Sequence, residues 1–316
     1  MAARFPFPTV LVATLLVCYS LGGCNDGREN GSSGNPIPGD KIRAIVSVAP
    51  QADFVRRVGG KRVLVDVLVG SGQDPHAYSP TPSQMTALGK AHLLFTVGMP
   101  FEEALAKKIA AANSAIKVVD TGAGFDKIAL QCDHPEHADE DHPAHGDEDE
   151  DGHEPDPHIW LAPIFIKAQA AHIEAALAAA MPEHAEEFST NRAAFDAELD
   201  SLHAELSKQM EPFIGEQFFV FHPAFGYFGH TYGIEQVAVE IGGNAPTLKE
   251  LATFIEHAKE EGVKVLFVQP QFDSRSAETV ADALGAKVVA LDPLARDVLP
   301  NLRRIADAIA GGFSDQ

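Results

Sequence analysis

Positive charge is in short supply along this chain. Its 316 residues hold 24 Lys and Arg against 45 Asp and Glu, a formal net charge of −21 with His neutral. No cluster of Lys or Arg exists to neutralise a run of phosphates, so nucleic acid is excluded as a partner. Long apolar runs are missing, apart from one near the N-terminus that is too short, and too rich in small residues toward its end, to span a bilayer. Nor is there a His-Glu-x-x-His protease helix. The nearest approach, His153-Glu154-Pro155-Asp156-Pro157-His158, has the wrong spacing and two prolines that break a helix. Cysteine occurs three times. What the chain does have is 45% hydrophobic residues over a length that favours two domains of ordinary size, enough to bury a sizeable core.

The N-terminal run reads as an export signal over residues 1–23, with Arg4 as the only charge ahead of the apolar stretch from Thr9 to Leu21. Leu21-Gly22-Gly23-Cys24 matches a bacterial lipobox, in which Cys24 is lipidated and becomes the first residue of the mature chain. Residues 24–40, rich in Gly, Ser, Asn and Pro, then form a flexible tether. With Cys18 removed and Cys24 acylated, Cys132 is left alone, so no internal disulfide can form even in an oxidising compartment.

From Lys41 onward, β-branched runs alternate with helical patterns, the sign of α/β units with parallel sheets. Ile42–Val48, Val63–Val69, Phe218–Phe221, Val265–Val268 and Val288–Leu291 read as strands. Thr81-Pro82-Ser83-Gln84 and Thr247-Leu248-Lys249-Glu250 are capping boxes that open helices. Pro163–Met181 is an Ala-rich helix, and a second helical pattern from Pro182 to about Met210 spaces Phe188, Phe195, Leu199, Leu202 and Leu206 on one buried stripe.

Within this frame Asp-Pro-His occurs twice, at Asp74-Pro75-His76 and Asp156-Pro157-His158. Each proline stiffens the loop that must hold an imidazole, a good ligand for zinc and copper. His222, in Phe221-His222-Pro223-Ala224-Phe225-Gly226-Tyr227, follows a strand, and Asp292, in Leu291-Asp292-Pro293, ends another. All four candidates fall at strand exits, where open α/β sheets place ligands, so His76, His158, His222 and Asp292 are expected to share one metal. His92, His172, His184, His203 and His257 read as helix-face residues without a motif, and His230 is ambiguous.

The tract from 132 to 156 holds His134, His137, His142, His145 and His153 among acidic residues, Pro and Gly; Asp133 to Asp156 has twelve carboxylates and no Lys or Arg. Its low apolar content predicts a disordered loop. Imidazoles flanked by carboxylates make it an auxiliary weak metal collector that raises the local zinc concentration near His158.

Four ordered segments carry a resemblance: Asp74-Pro75-His76-Ala77-Tyr78-Ser79-Pro80-Thr81-Pro82-Ser83, Asp156-Pro157-His158-Ile159-Trp160-Leu161-Ala162-Pro163, Phe221-His222-Pro223-Ala224-Phe225-Gly226-Tyr227-Phe228 and Leu291-Asp292-Pro293-Leu294-Ala295. Over nearly the whole mature chain they are similar to the zinc/manganese solute-binding lipoproteins of ABC importers. That resemblance implies two α/β lobes, each with a central, mainly parallel sheet flanked by helices, joined by one long rigid linker helix at 163–181. The N-terminal lobe would be 41–162 and the C-terminal lobe 182–316, with the ion in the cleft between them. His76 and His158 would come from the first lobe, His222 and Asp292 from the second.

Manganese binders of that family resemble a two-His, two-carboxylate site, with Glu in the position of His222. Three imidazoles and one carboxylate instead suit tetrahedral Zn²⁺. Some zinc members place Glu directly before the first His, where this chain has Pro75, so the fourth ligand is expected to be Asp292 or water. The expected function is therefore a non-enzymatic zinc carrier outside the cytoplasm, lipid-anchored at Cys24 in the periplasm or at the cell surface. Its partners would be Zn²⁺, an ABC permease and the permease's ATPase, and it would act as a monomer. A zinc-dependent hydrolase, with water at the fourth position and Asp292 as base, and an adhesin or metal buffer are the alternatives.

Overall fold

A computed structural model describes residues 41–70, 72–112, 115–130, 155–240, 246–272 and 274–315. The export signal, Cys24, the tether, Cys132 and the tract that carries His134, His137, His142, His145 and His153 lie outside the described residues. Among the described residues no helix is long and apolar enough to cross a membrane.

The chain builds two parallel four-stranded sheets with the same strand order. The first uses β1 (Ile42–Val48), β2 (Val63–Val69), β3 (Leu93–Thr96) and β4 (Lys117–Asp120) in the order β2-β1-β3-β4. The second uses β5 (Gln217–Val220), β6 (Glu235–Ala238), β7 (Val265–Val268) and β8 (Lys287–Ala290) in the order β6-β5-β7-β8. Parallel pairing requires crossovers, and helices supply them: α1 (Ala49–Gly59), α2 (Pro82–Leu88) and α3 (Pro100–Ala111) in the first lobe. The central strands are apolar throughout: Val46, Val48 and Phe95 are all inaccessible to water, as expected of strands covered on both faces.

The linker expected at 163–181 forms as α4 (Pro163–Ala180), but it is not the helix that spans the molecule. Along most of its length α4 lies on the first lobe, with Gln169 bonded to the Ile159 carbonyl and His172 to that of Thr121. The spanning element is α5 (Ala185–Met210). In its first and middle turns, α5 is tied to α1 and its flank through Arg62–Glu187 at 3.1 Å and Arg57–Glu198 at 3.0 Å. Near its end, it is tied to α9 (Val298–Asp315) through Arg303–Glu205 at 2.8 Å and Gln209–Asp307 at 2.8 Å. The expected stripe of Phe188, Phe195, Leu199, Leu202 and Leu206 is buried, joined by Met210. A continuous apolar core runs through α5 from Phe54 and Val58 of the first lobe to Leu302 and Ile305 of the second.

The second lobe is completed by α6 (Gly226–Tyr232), α7 (Leu248–Glu260) and α8 (Ser274–Leu284). Phe219, Phe254, Leu266 and Val280 form a separate cluster on the outer face of its sheet. His92 is not on a helix face: it lies just before β3, buried, with Nδ1 accepting the Arg43 N–H at 2.8 Å.

Candidate metal centre

Each Asp-Pro motif folds as the same small turn. In both Asp-Pro-His copies the Asp Oδ1 accepts the backbone N–H of the His two residues on, at 2.8 Å for Asp74 and His76 and 2.8 Å for Asp156 and His158. Asp292-Pro293-Leu294 repeats this turn at 2.9 Å, with Leu294 where the other copies carry His.

His76 lies in the connection from β2 to α2. Gln84, inside the capping box of α2, anchors that connection: its Nε2 donates to the Leu68 carbonyl at 2.8 Å and its Oε1 accepts from Tyr78 at 2.7 Å. His158 enters from the segment after Pro155, which forms an isolated antiparallel bridge with Ala129. Asp156 is buried, its N–H on the Ile128 carbonyl at 2.9 Å, and its Oδ1 also meets His158 Nδ1 at 2.7 Å. A Cβ on Gly226 would lie 2.8 Å from Asp156 Oδ2, so glycine is needed there for the second lobe to approach this carboxylate.

His222 leaves β5. Gln269 at the exit of β7 clamps its backbone, accepting its N–H at 3.1 Å and donating to its carbonyl at 3.0 Å. Its Nδ1 meets Glu240 Oε2 at 2.7 Å, and Phe272 stacks on its ring at 4.4 Å between centroids. Two bonds tie the lobes beside the site: Trp160 Nε1 donates to the Pro293 carbonyl at 2.7 Å, and Tyr227 donates to the Asp156 carbonyl at 3.0 Å.

The three histidines converge. Ring centroids are 5.5 Å apart for His76 and His158, 4.8 Å for His76 and His222, and 5.4 Å for His158 and His222. One nitrogen from each lies within 4.8 Å of the other two. Nε2 of His76 and of His222 is buried with no hydrogen-bond partner among the described residues, while Nδ1 of His158 and His222 is held by a carboxylate. The free donors are therefore the Nε2 atoms. Burial pushes all three imidazoles down to about 3, helped at His76 and His222 by neighbouring imidazoles. Each ring is neutral at pH 7, with a lone pair to give a cation. Burial pushes Asp156 and Glu240 up to about 7.

Asp292, expected as a fourth ligand, stays outside the cluster of three. Its Oδ1 is spent on the Leu294 N–H and on Gln271 Nε2 at 2.6 Å, the turn chemistry of its motif. The motifs did not point to Glu240, Gln269, Gln271 or Phe272. The available signal was polar residues at the exits of apolar strands, Glu240 after β6 and Gln269 and Gln271 after β7.

The profile of the family described as "ZnuA: Zinc-uptake complex component A periplasmic" matches residues 45–311. The chain belongs to the ZnuA family. The high-affinity zinc uptake system protein ZnuA of Bacillus subtilis is 30% identical over 289 residues, 89% of this chain and 86% of that protein. A crystal structure of ZnuA superposes with a TM-score of 0.78 at 37% identity, covering 86% of this chain and 99% of that one. A 138–173 ZnuA deletion mutant with zinc bound gives 0.76 at 36% identity, over 86% of this chain and 98% of that one. As a ZnuA-family member the chain is the extracytoplasmic zinc-binding component of an ABC importer, not an enzyme.

Proposed function

We propose that Nε2 of His76, His158 and His222 hold one Zn²⁺ in the cleft between the lobes, and that the loaded protein hands this ion to the permease. The observation that carries the reading is the meeting of three buried neutral imidazoles, two of them with a carboxylate on Nδ1. Such a pair fixes the ring's proton on Nδ1, points Nε2 at the metal and raises its basicity. Three nitrogen donors favour Zn²⁺ over Mn²⁺, which prefers an oxygen-rich shell. A tetrahedral ion 2.0–2.1 Å from each nitrogen needs donors about 3.3 Å apart, so ring shifts of about 1.5 Å or less complete the shell. Water takes the fourth vertex in place of Asp292.

Lipidation at Cys24 would hold the carrier at the membrane, as a monomer, with the permease and its ATPase as partners. The tract bearing His134, His137, His142, His145 and His153 would gather zinc loosely beside the cleft. Titration of the purified chain with Zn²⁺ tests the core of this reading. One tight site is expected, weakened by at least about a hundredfold in His158→Ala and with its preference over Mn²⁺ reduced in His222→Glu. Wild-type zinc affinity in both variants would place the ion elsewhere.

A further inference from the structure

Gln271, in the stretch that follows β7, bonds Asp292 and shares a small cavity with His158 and His222. Chemistry settles which way its amide faces: Asp292 is an acceptor, so the end 2.6 Å from Asp292 Oδ1 is the NH₂ group. The other end, Gln271 Oε1, is buried and has no hydrogen-bond partner among the described residues. Gln271 lines a small cavity with His158, His222, Phe272, Pro75 and Leu294. That cavity, of about 10 Å³, admits a body no larger than one water. Two residues that line this cavity therefore carry unmet demand: His222 Nε2 needs a cation, and Gln271 Oε1 needs a hydrogen donor. A water bound to that cation meets both, because its oxygen ligates the metal while its hydrogens remain free to donate.

We propose that Gln271 is a positioning residue for the fourth ligand. Its Oε1 receives a hydrogen bond from the metal-bound water, and Asp292 acts on the site only through Gln271, by holding the amide the right way round. The inference rests on the three-histidine zinc site proposed above. It gives Asp292 a role without a bond to the ion, in keeping with its place outside the cluster. It also sets a preference at the fourth vertex: an acceptor oxygen there welcomes water and faces the lone pairs of an anion such as azide unfavourably.

The test compares zinc affinity, by competition with a chromophoric chelator, in the wild type, Gln271→Met, Asp292→Ala, Asp292→Asn and the Gln271→Met/Asp292→Ala double variant. Gln271→Met, close in size but without the acceptor, is expected to lose about tenfold, and Asp292→Ala a similar factor. The double variant should be no weaker than Gln271→Met, since one residue acts through the other. Asp292→Asn keeps an oxygen for Gln271 Nε2 and the Leu294 N–H, and should stay within about threefold of the wild type. In the Co²⁺-loaded protein, azide should change the visible spectrum of Gln271→Met at lower concentrations than in the wild type, a readout that loss of stability alone does not move. Losses that multiply in the double variant, or an Asp292→Asn loss as large as that of Asp292→Ala, would show that Asp292 ligates the ion directly and overturn the proposal. Failure of the wild type to bind zinc tightly would instead remove the three-histidine site itself.

Discussion

At the scale of single residues, the carboxylates behind the imidazoles decide how the site answers to pH. Without metal, burial pushes Asp156 and Glu240 up to about 7, so below that pH each comes to hold a proton. A protonated carboxyl facing Nδ1 donates to it, which places the neutral ring's own hydrogen on Nε2, the atom zinc needs. Zinc binding must then expel one proton from each pair. The sign follows: affinity falls as pH drops below about 7, by up to about tenfold per pH unit for each carboxylate. Glu240→Gln, which removes one of the two protons and the charge behind His222, should weaken zinc about tenfold at pH 7 and make the pH dependence shallower by one proton. Chelator competition between pH 5 and 7 reads both, and an affinity flat with pH in the wild type would contradict the scheme. The histidines themselves were legible because His76 and His158 each sit in a contiguous Asp-Pro-His and His222 follows a readable strand. Glu240 was not, since it reaches His222 through the pairing of β5 with β6, across 18 residues of chain.

At the scale of elements, α5 joins the lobes through a buried stripe and a set of exposed ion pairs, and these differ greatly in worth. Leu202 is fully buried midway along the helix, so Leu202→Ala leaves a cavity and should cost about 2–5 kcal/mol. Glu205, one turn away, forms a two-pronged pair with Arg303 at 2.8–3.0 Å, but both side chains are more than 40% exposed. Glu205→Ala should cost less than about 1 kcal/mol. Denaturant unfolding of the two variants distinguishes these ranges; equal losses would mean that the ion pair rather than the stripe fastens α5. The stripe could be read from its spacing, and β1, β2 and β7 emerged with the bounds their β-branched runs suggested. Strands β3, β4 and β6 did not: four residues are too few to display a period, and none of the three is an unbroken apolar run like the Val265-Leu266-Phe267-Val268 of β7. The spanning role went to α5 rather than α4 for a reason invisible in either helix alone: it depends on partners on α1 and α9, 141 residues away along the chain on one side and 98 on the other.

At the scale of the whole molecule, the three proposed ligands belong to three separate connections: β2 to α2, the return from residue 155, and the exit of β5. Only the second adjoins the His- and acid-rich tract. The chain on its two sides is already held together, since Ala129 bridges Pro155 and the Asp156 N–H bonds the Ile128 carbonyl at 2.9 Å. Removing Asp133–Asp151 therefore need not disturb Asp156, whose carboxylate aligns His158, and shortening a loop whose ends already meet changes its closure entropy only slowly with length. The deletion variant is expected to keep one tight zinc site while losing weak ones in titration calorimetry. Its thermal midpoint should still rise with zinc, because an ion at a thousand times its dissociation constant adds about 4 kcal/mol to any fold that binds it only when native. Both proteins should show that rise at pH 7 and a smaller one at pH 5, where proton expulsion weakens binding. If tight binding and the rise vanish together with the tract, its histidines are ligands of the principal site rather than collectors that feed it.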